Sequence, residues 1–164
     1  MGIVALLSMT VQRATHSIDS RKYVNEVVTR ASGVATTTLE VIALRPFDEK
    51  TDTTKVTSFP AVTSAYQLTP EGSFGGCTSF NLCEDLDDYD GMVLTRTYEG
   101  VPYTLTITVI YVDPLNPDVY SATQTFAKEV LVEVENPYIK VGATGTPLKV
   151  PFRRVFGYDK ATSI

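Results

Sequence analysis

Residues 24–42, Val24-Asn-Glu-Val-Val-Thr-Arg-Ala-Ser-Gly-Val-Ala-Thr-Thr-Thr-Leu-Glu-Val-Ile42, carry the pattern that decides the fold. Val24, Val27, Val28, Ala31, Val34, Ala35, Thr38, Leu39 and Ile42 recur at the i, i+3, i+4, i+7 spacing of a helix with one buried stripe. Asn25, Glu26, Thr29, Arg30, Gly33, Thr37 and Glu40 fall on the other side. Glu26 and Arg30 form a correctly oriented i,i+4 pair. Pro46 lacks the amide that would extend the helix and disfavours helical geometry at Arg45, so the stop is well marked. Upstream, Ile3, Leu6, Leu7, Val11, Ala14 and Ile18 continue the spacing. The reading is therefore one helix from Ile3 to Leu44, on the order of 60 Å long at about 1.5 Å per residue. That exceeds what a domain of 164 residues needs. Gly33 and a run of β-branched residues weaken the helix by a few tenths of a kcal/mol each, and by about 1 for Gly, so packing must hold it.

Working outward, the pattern changes to a period of two. Val93, Thr95 and Thr97 alternate with Leu94, Arg96 and Tyr98, and Glu99-Gly100 supplies a turn. Tyr103 to Asp113 is the strongest strand, with Leu105, Ile107, Val109 and Tyr111 on one face and Thr104, Thr106 and Thr108 on the other. Asp113-Pro-Leu-Asn-Pro-Asp118 reads as a turn or loop by composition. A third strand follows from Phe126 to Glu135, where Val130, Val132 and Val134 oppose Glu129, Glu133 and Glu135. The tail from Pro137 is extended, with one edge strand near Lys149–Phe156. Between helix and sheet, Phe47 to Phe74 is a long polar loop. The expected class is α+β: a long N-terminal helix packed on an antiparallel sheet, a three-stranded meander plus an edge strand. Residues 1–23 are expected to project as an assembly element, and residues 24–164 to form the globular domain.

Hydrophobic content of 43% and charged content of 20% are ordinary for a folded chain. A net charge of −5 with no basic, aromatic-interleaved patch argues against nucleic acid as a partner. Cys77 and Cys83 lie close together without a His or Cys cluster, so a short-range disulfide is the better reading than a metal site. A disulfide implies export through an oxidising compartment. No cleavable signal is visible in the opening residues, and their apolar start is shorter than the roughly 20 residues a membrane span takes.

Three stretches in register resemble type IV pilins and pseudopilins, in particular minor pilins of the mannose-sensitive haemagglutinin type. Thr38-Leu-Glu-Val-Ile-Ala-Leu-Arg-Pro-Phe-Asp-Glu49 is similar to the end of their helix. Glu84-Asp-Leu-Asp-Asp-Tyr-Asp-Gly91 is similar to the turn before their first strand. Thr108-Val-Ile-Tyr-Val-Asp113 with Phe126-Ala-Lys-Glu-Val-Leu-Val-Glu-Val134 is similar to their closing strand pair. The resemblance covers about residues 34–135 and implies a pilin-like fold. The implied role is a structural subunit of an extracellular or cell-surface filament or secretion pseudopilus. The partners would be identical subunits, or other pilin-like subunits, in a helical polymer, with the membrane met only transiently before assembly. Ile3, Leu6, Leu7, Val11, Ala14 and Ile18 are the expected assembly interface. The start departs from the family: the basic leader and the Phe-Thr-Leu-Ile-Glu opening have no counterpart in residues 1–23.

Catalysis is poorly supplied, and the chain is not expected to be an enzyme. The single histidine, His16, has Ser17 and Asp19 beside it, and those three cannot converge on one point from a helix. Gly72-Ser-Phe-Gly-Gly lacks the Lys and following helix of a phosphate loop. No cofactor is expected. The acidic run Asp85, Asp87, Asp88 and Asp90 is the candidate for Ca2+, which takes several hard oxygens from a flexible turn. It does not match an EF-hand, and the commoner reading is turn capping by Asp, with Tyr89 packed inward. An exported adhesion module using this acidic, disulfide-closed loop is the alternative function.

Overall fold

A computed structural model of the chain describes residues 24–51, 65–141 and 145–158. The expected assembly residues Ile3, Leu6, Leu7, Val11, Ala14 and Ile18, and His16, lie outside the described residues. So do residues 52–64 of the Phe47–Phe74 loop.

Residues 24–42 are helical (α1) and the helix runs through Gly33 without a break. Val27, Ala31, Val34, Ala35, Thr38, Leu39 and Ile42 are its buried positions. The β-branched threonines are accommodated by bonding back to the helix: Thr29, Thr37 and Thr38 donate to carbonyls four residues earlier at 2.9–3.0 Å. The last turn closes with Arg45 N–H donating to the Ile42 carbonyl, one residue before Pro46.

Five strands follow: β1 (Val93–Tyr98), β2 (Val101–Asp113), β3 (Asn116–Tyr120), β4 (Ala127–Val141) and β5 (Thr146–Gly157). They pair antiparallel in the order β1-β2-β4-β5, and β3 pairs with the end of β2. The α+β class, the meander and the edge strand are thus as the periodicity reads them. The alternation is also confirmed: Tyr103, Leu105, Ile107, Val109 and Tyr111 of β2 and Val130, Val132 and Val134 of β4 are at most 1% exposed. This apolar face and the stripe of α1 form one core cluster. Each fully buried Val, Leu or Ile side chain contributes roughly 1.5–3 kcal/mol, which outweighs the poor helix propensity of α1. Arg30 adds a tie from α1 to the β1–β2 turn, 2.9 Å from Glu99.

Two readings of the sequence need correction. Asn116-Pro-Asp118, the second half of the stretch that reads as a turn or loop by composition, opens an edge strand that runs to Tyr120. Proline is tolerated there because β3 pairs only with β2, through Val112–Tyr120 and Asp113–Asn116 around a bulge. The third strand also does not end at Glu135. β4 passes Pro137 and continues to Val141, with a register shift against β5 between Asn136 and Lys140. Asn136 makes this possible, its Oδ1 accepting the amides of Tyr138 (2.8 Å) and Ile139 (3.2 Å) where the ladder is interrupted.

Candidate functional site

The acidic stretch after the disulfide lies beneath the end of α1 and against the middle of the sheet. Cys77 and Cys83 are bonded, closing a loop of sequence separation 6 with Cα atoms 5.2 Å apart. Phe80 points from this loop into the core and meets Tyr89 edge-on, ring centroids 5.1 Å apart. Tyr89 is 0% exposed; its hydroxyl donates to the Phe80 carbonyl and accepts from Arg45 Nε, each at 3.2 Å. One tyrosine therefore ties the disulfide loop to the helix end, as its inward packing suggests. Gly75 completes the turn: it has φ +82°, and a Cβ there would stand 2.8 Å from the Asp90 carbonyl oxygen. Replacing both cysteines by alanine is expected to lower stability by about 2–3 kcal/mol, from the chain-entropy term for so short a loop. Urea unfolding of the oxidised wild type and the double variant measures it.

The four aspartates of the calcium reading are assigned to four separate tasks. Asp88 accepts the Glu84 amide at 2.7 Å. Asp90 accepts the Val109 amide at 2.8 Å and so continues the β1–β2 ladder past its end. Asp85 accepts the Glu49 amide at 2.6 Å and the Asp88 amide at 3.2 Å. Asp87 turns inward to Lys128. Among the described residues, no group of three or more His, Cys, Asp or Glu is arranged to hold a metal ion.

The centre of the site is Lys128, which the sequence reading passed over. It is 0% exposed and lies on the helix-facing side of β4, in phase with Val130, Val132 and Val134 and opposite Tyr111. Its Nζ donates to Asp87 Oδ1 at 2.5 Å and to the Phe47 carbonyl at 2.8 Å, and stands 3.6 Å from Asp48 Oδ2. Asp48 is equally buried and also accepts the amides of Lys50 (3.1 Å) and Thr69 (2.7 Å). The walls are aromatic: the Phe47, Phe74 and Tyr111 rings have centroids 4.6, 5.2 and 5.2 Å from Nζ. One ammonium thus joins the segment after α1, the acidic turn and the sheet.

Burial raises two of the carboxyls. It pushes Asp85 from 3.8 up to about 7, with the neighbouring Asp87 charge adding to the rise. Asp87 is also raised by burial, which outweighs its ion pair with Lys128. The Tyr111 phenol is raised by burial and then by Asp48, and its hydroxyl donates to the Thr69 carbonyl at 2.7 Å.

A second feature is an apolar cleft of about 570 Å³ between α1 and β1, lined by Val34, Thr37, Val41, Phe80, Arg96 and Tyr98 among others. The opposite face of the sheet is polar, where Arg153 pairs with Asp118 and with Glu129 (3.4 Å). No helix among the described residues is long and apolar enough to cross a membrane. Comparison of the chain with family models, with curated proteins and with solved structures gives no match.

Proposed function

We propose that the chain is a non-enzymatic structural subunit of an extracellular filament or pseudopilus of the pilin type. The observation that carries this reading is the order of the architecture. A helix stapled by one apolar stripe to one face of an antiparallel sheet is followed by a disulfide-closed loop and an acidic turn, and Tyr89 of that turn ties the loop to the helix end. In this reading identical copies are joined head-to-tail through the residues that precede α1, which makes an open helical polymer. The disulfide supports export through an oxidising compartment. In this reading Ile3, Leu6, Leu7, Val11, Ala14 and Ile18 pack against neighbouring subunits.

Filaments of the purified chain in negative-stain images, lost in Leu6→Asp or Leu7→Asp variants whose sheet domain still folds by circular dichroism, are the expected result. A monodisperse monomer of the intact chain at high concentration overturns the proposal.

A further inference from the structure

We propose that Lys128 and Asp87 become joined by an intramolecular isopeptide bond that the folded domain makes by itself. The inference stands on the geometry of the buried cluster and is independent of the assembly reading. Nζ of Lys128 is 2.5 Å from Asp87 Oδ1, which places the Cγ carbon, one bond further on, within reach of the nitrogen. Both side chains are held from several directions: Lys128 by the Phe47 carbonyl, Asp87 by the short helical turn Asp87–Tyr89. The neighbouring rings of Phe47, Phe74 and Tyr111 make the surroundings apolar. Condensing an amine with a carboxylic acid releases water, so a dry site favours it.

The same dryness supplies the reacting forms. In a low-dielectric pocket an ammonium–carboxylate pair is costly, and moving one proton across the contact gives the free amine and the neutral acid. The nitrogen lone pair adds to Asp87 Cγ, and the carbonyl electron pair moves onto oxygen. Asp48, whose Oδ2 is 3.6 Å from Nζ, takes a proton from the nitrogen and returns it to the departing hydroxyl. The C–OH bond breaks, the carbonyl reforms and one water leaves. The balance is amine plus acid to amide plus water, with no further reactant. The product closes a covalent loop from the acidic turn to β4 that encloses β1, β2 and β3.

The test is the intact mass of the full chain, purified, reduced and denatured. A chain lighter than its sequence by one water is expected. In a tryptic digest, cleavage after Lys128 is expected to be lost and a branched peptide to appear that joins residues 56–96 to residues 97–140. Lys128→Arg and Asp87→Ala should both return the full sequence mass. Asp48→Asn should leave the chain unlinked while circular dichroism shows it folded; a linked Asp48→Asn chain would overturn the assignment of Asp48 as proton carrier. A folded wild type with the full sequence mass, cut by trypsin after Lys128 once denatured, overturns the bond itself.

Discussion

Replacing Lys128 by methionine is expected to lower the unfolding free energy by roughly 3–5 kcal/mol, a large share of the roughly 5–15 kcal/mol that holds an ordinary domain together. Methionine keeps most of the aliphatic stem, so the loss is not mainly one of packing. What changes is that Asp48, 0% exposed at the side chain, loses the Lys128 nitrogen, and Asp87, 5% exposed, is left as an unpartnered carboxyl where the wild type holds it as an ion pair or as the amide proposed above. The Phe47 carbonyl loses its donor at the same time. A buried ion pair is weak evidence of net stability, because desolvation offsets the attraction, but removing one partner leaves the full cost of the other. The double variant Lys128→Met with Asp87→Leu should therefore recover part of the loss. Lys149→Met is the control: its side chain is 50% exposed and 4.0 Å from Glu135, a contact worth at most about 1 kcal/mol. Urea unfolding of the four chains measures the differences. Equal losses for Lys128→Met and Lys149→Met would sink the claim that the cluster organises the domain.

Much of the fold is legible because its central elements are strictly periodic. The stripe Val27–Ala31–Val34–Ala35–Leu39–Ile42 and the alternations of β2 and β4 each point to one face, and those faces are buried together. β3 is illegible for a physical reason. Its residues Asn116, Pro117 and Asp118 are turn formers, and they adopt a strand only because the 13-residue β2 overhangs its other neighbours and offers an edge. The extension of β4 past Pro137 depends in the same way on a side-chain amide, that of Asn136. At the site, the short spacing of Cys77 and Cys83 gave the disulfide away, and Tyr89 packs inward as read. Lys128 carried one signal, its place in phase with Val130, Val132 and Val134. Its partners gave none, since Asp87 is 41 residues away and Phe47 81. Only the assembled sheet and turn bring them together, so nothing in the acidic run itself shows that Asp87, alone of its four aspartates, pairs with a lysine of the chain.

Asp85, buried in the same turn, also sets how stability should depend on pH. Asp85 is 4% exposed and faces Asp87 and Asp88 on its own turn, with Lys128 reaching in from β4; Glu49 contributes its backbone amide. Burial raises its carboxyl from 3.8 to about 7, so the folded chain holds a proton that the unfolded chain has already released. Over that window the native state binds more protons than the unfolded state, so stability must fall as pH rises. The Asp85 contribution is complete below the unfolded value of 3.8 and lost as pH passes the folded value of about 7. The slope approaches about 1.4 kcal/mol per pH unit between those limits for one group. Where Asp87 is not joined to Lys128, its carboxyl is raised by burial too and acts in the same direction. The expected result is a urea midpoint clearly higher at pH 5 than at pH 8, the reverse of what surface-paired carboxylates give. Asp85→Asn keeps an acceptor for the Glu49 amide and removes the charge. It should match the wild type only below the unfolded value of 3.8, raise the midpoint somewhat at pH 5 and much more at pH 8, and so flatten the profile. A wild-type midpoint that stays level or climbs from pH 5 to pH 8 would show that Asp85 is ionised in the fold.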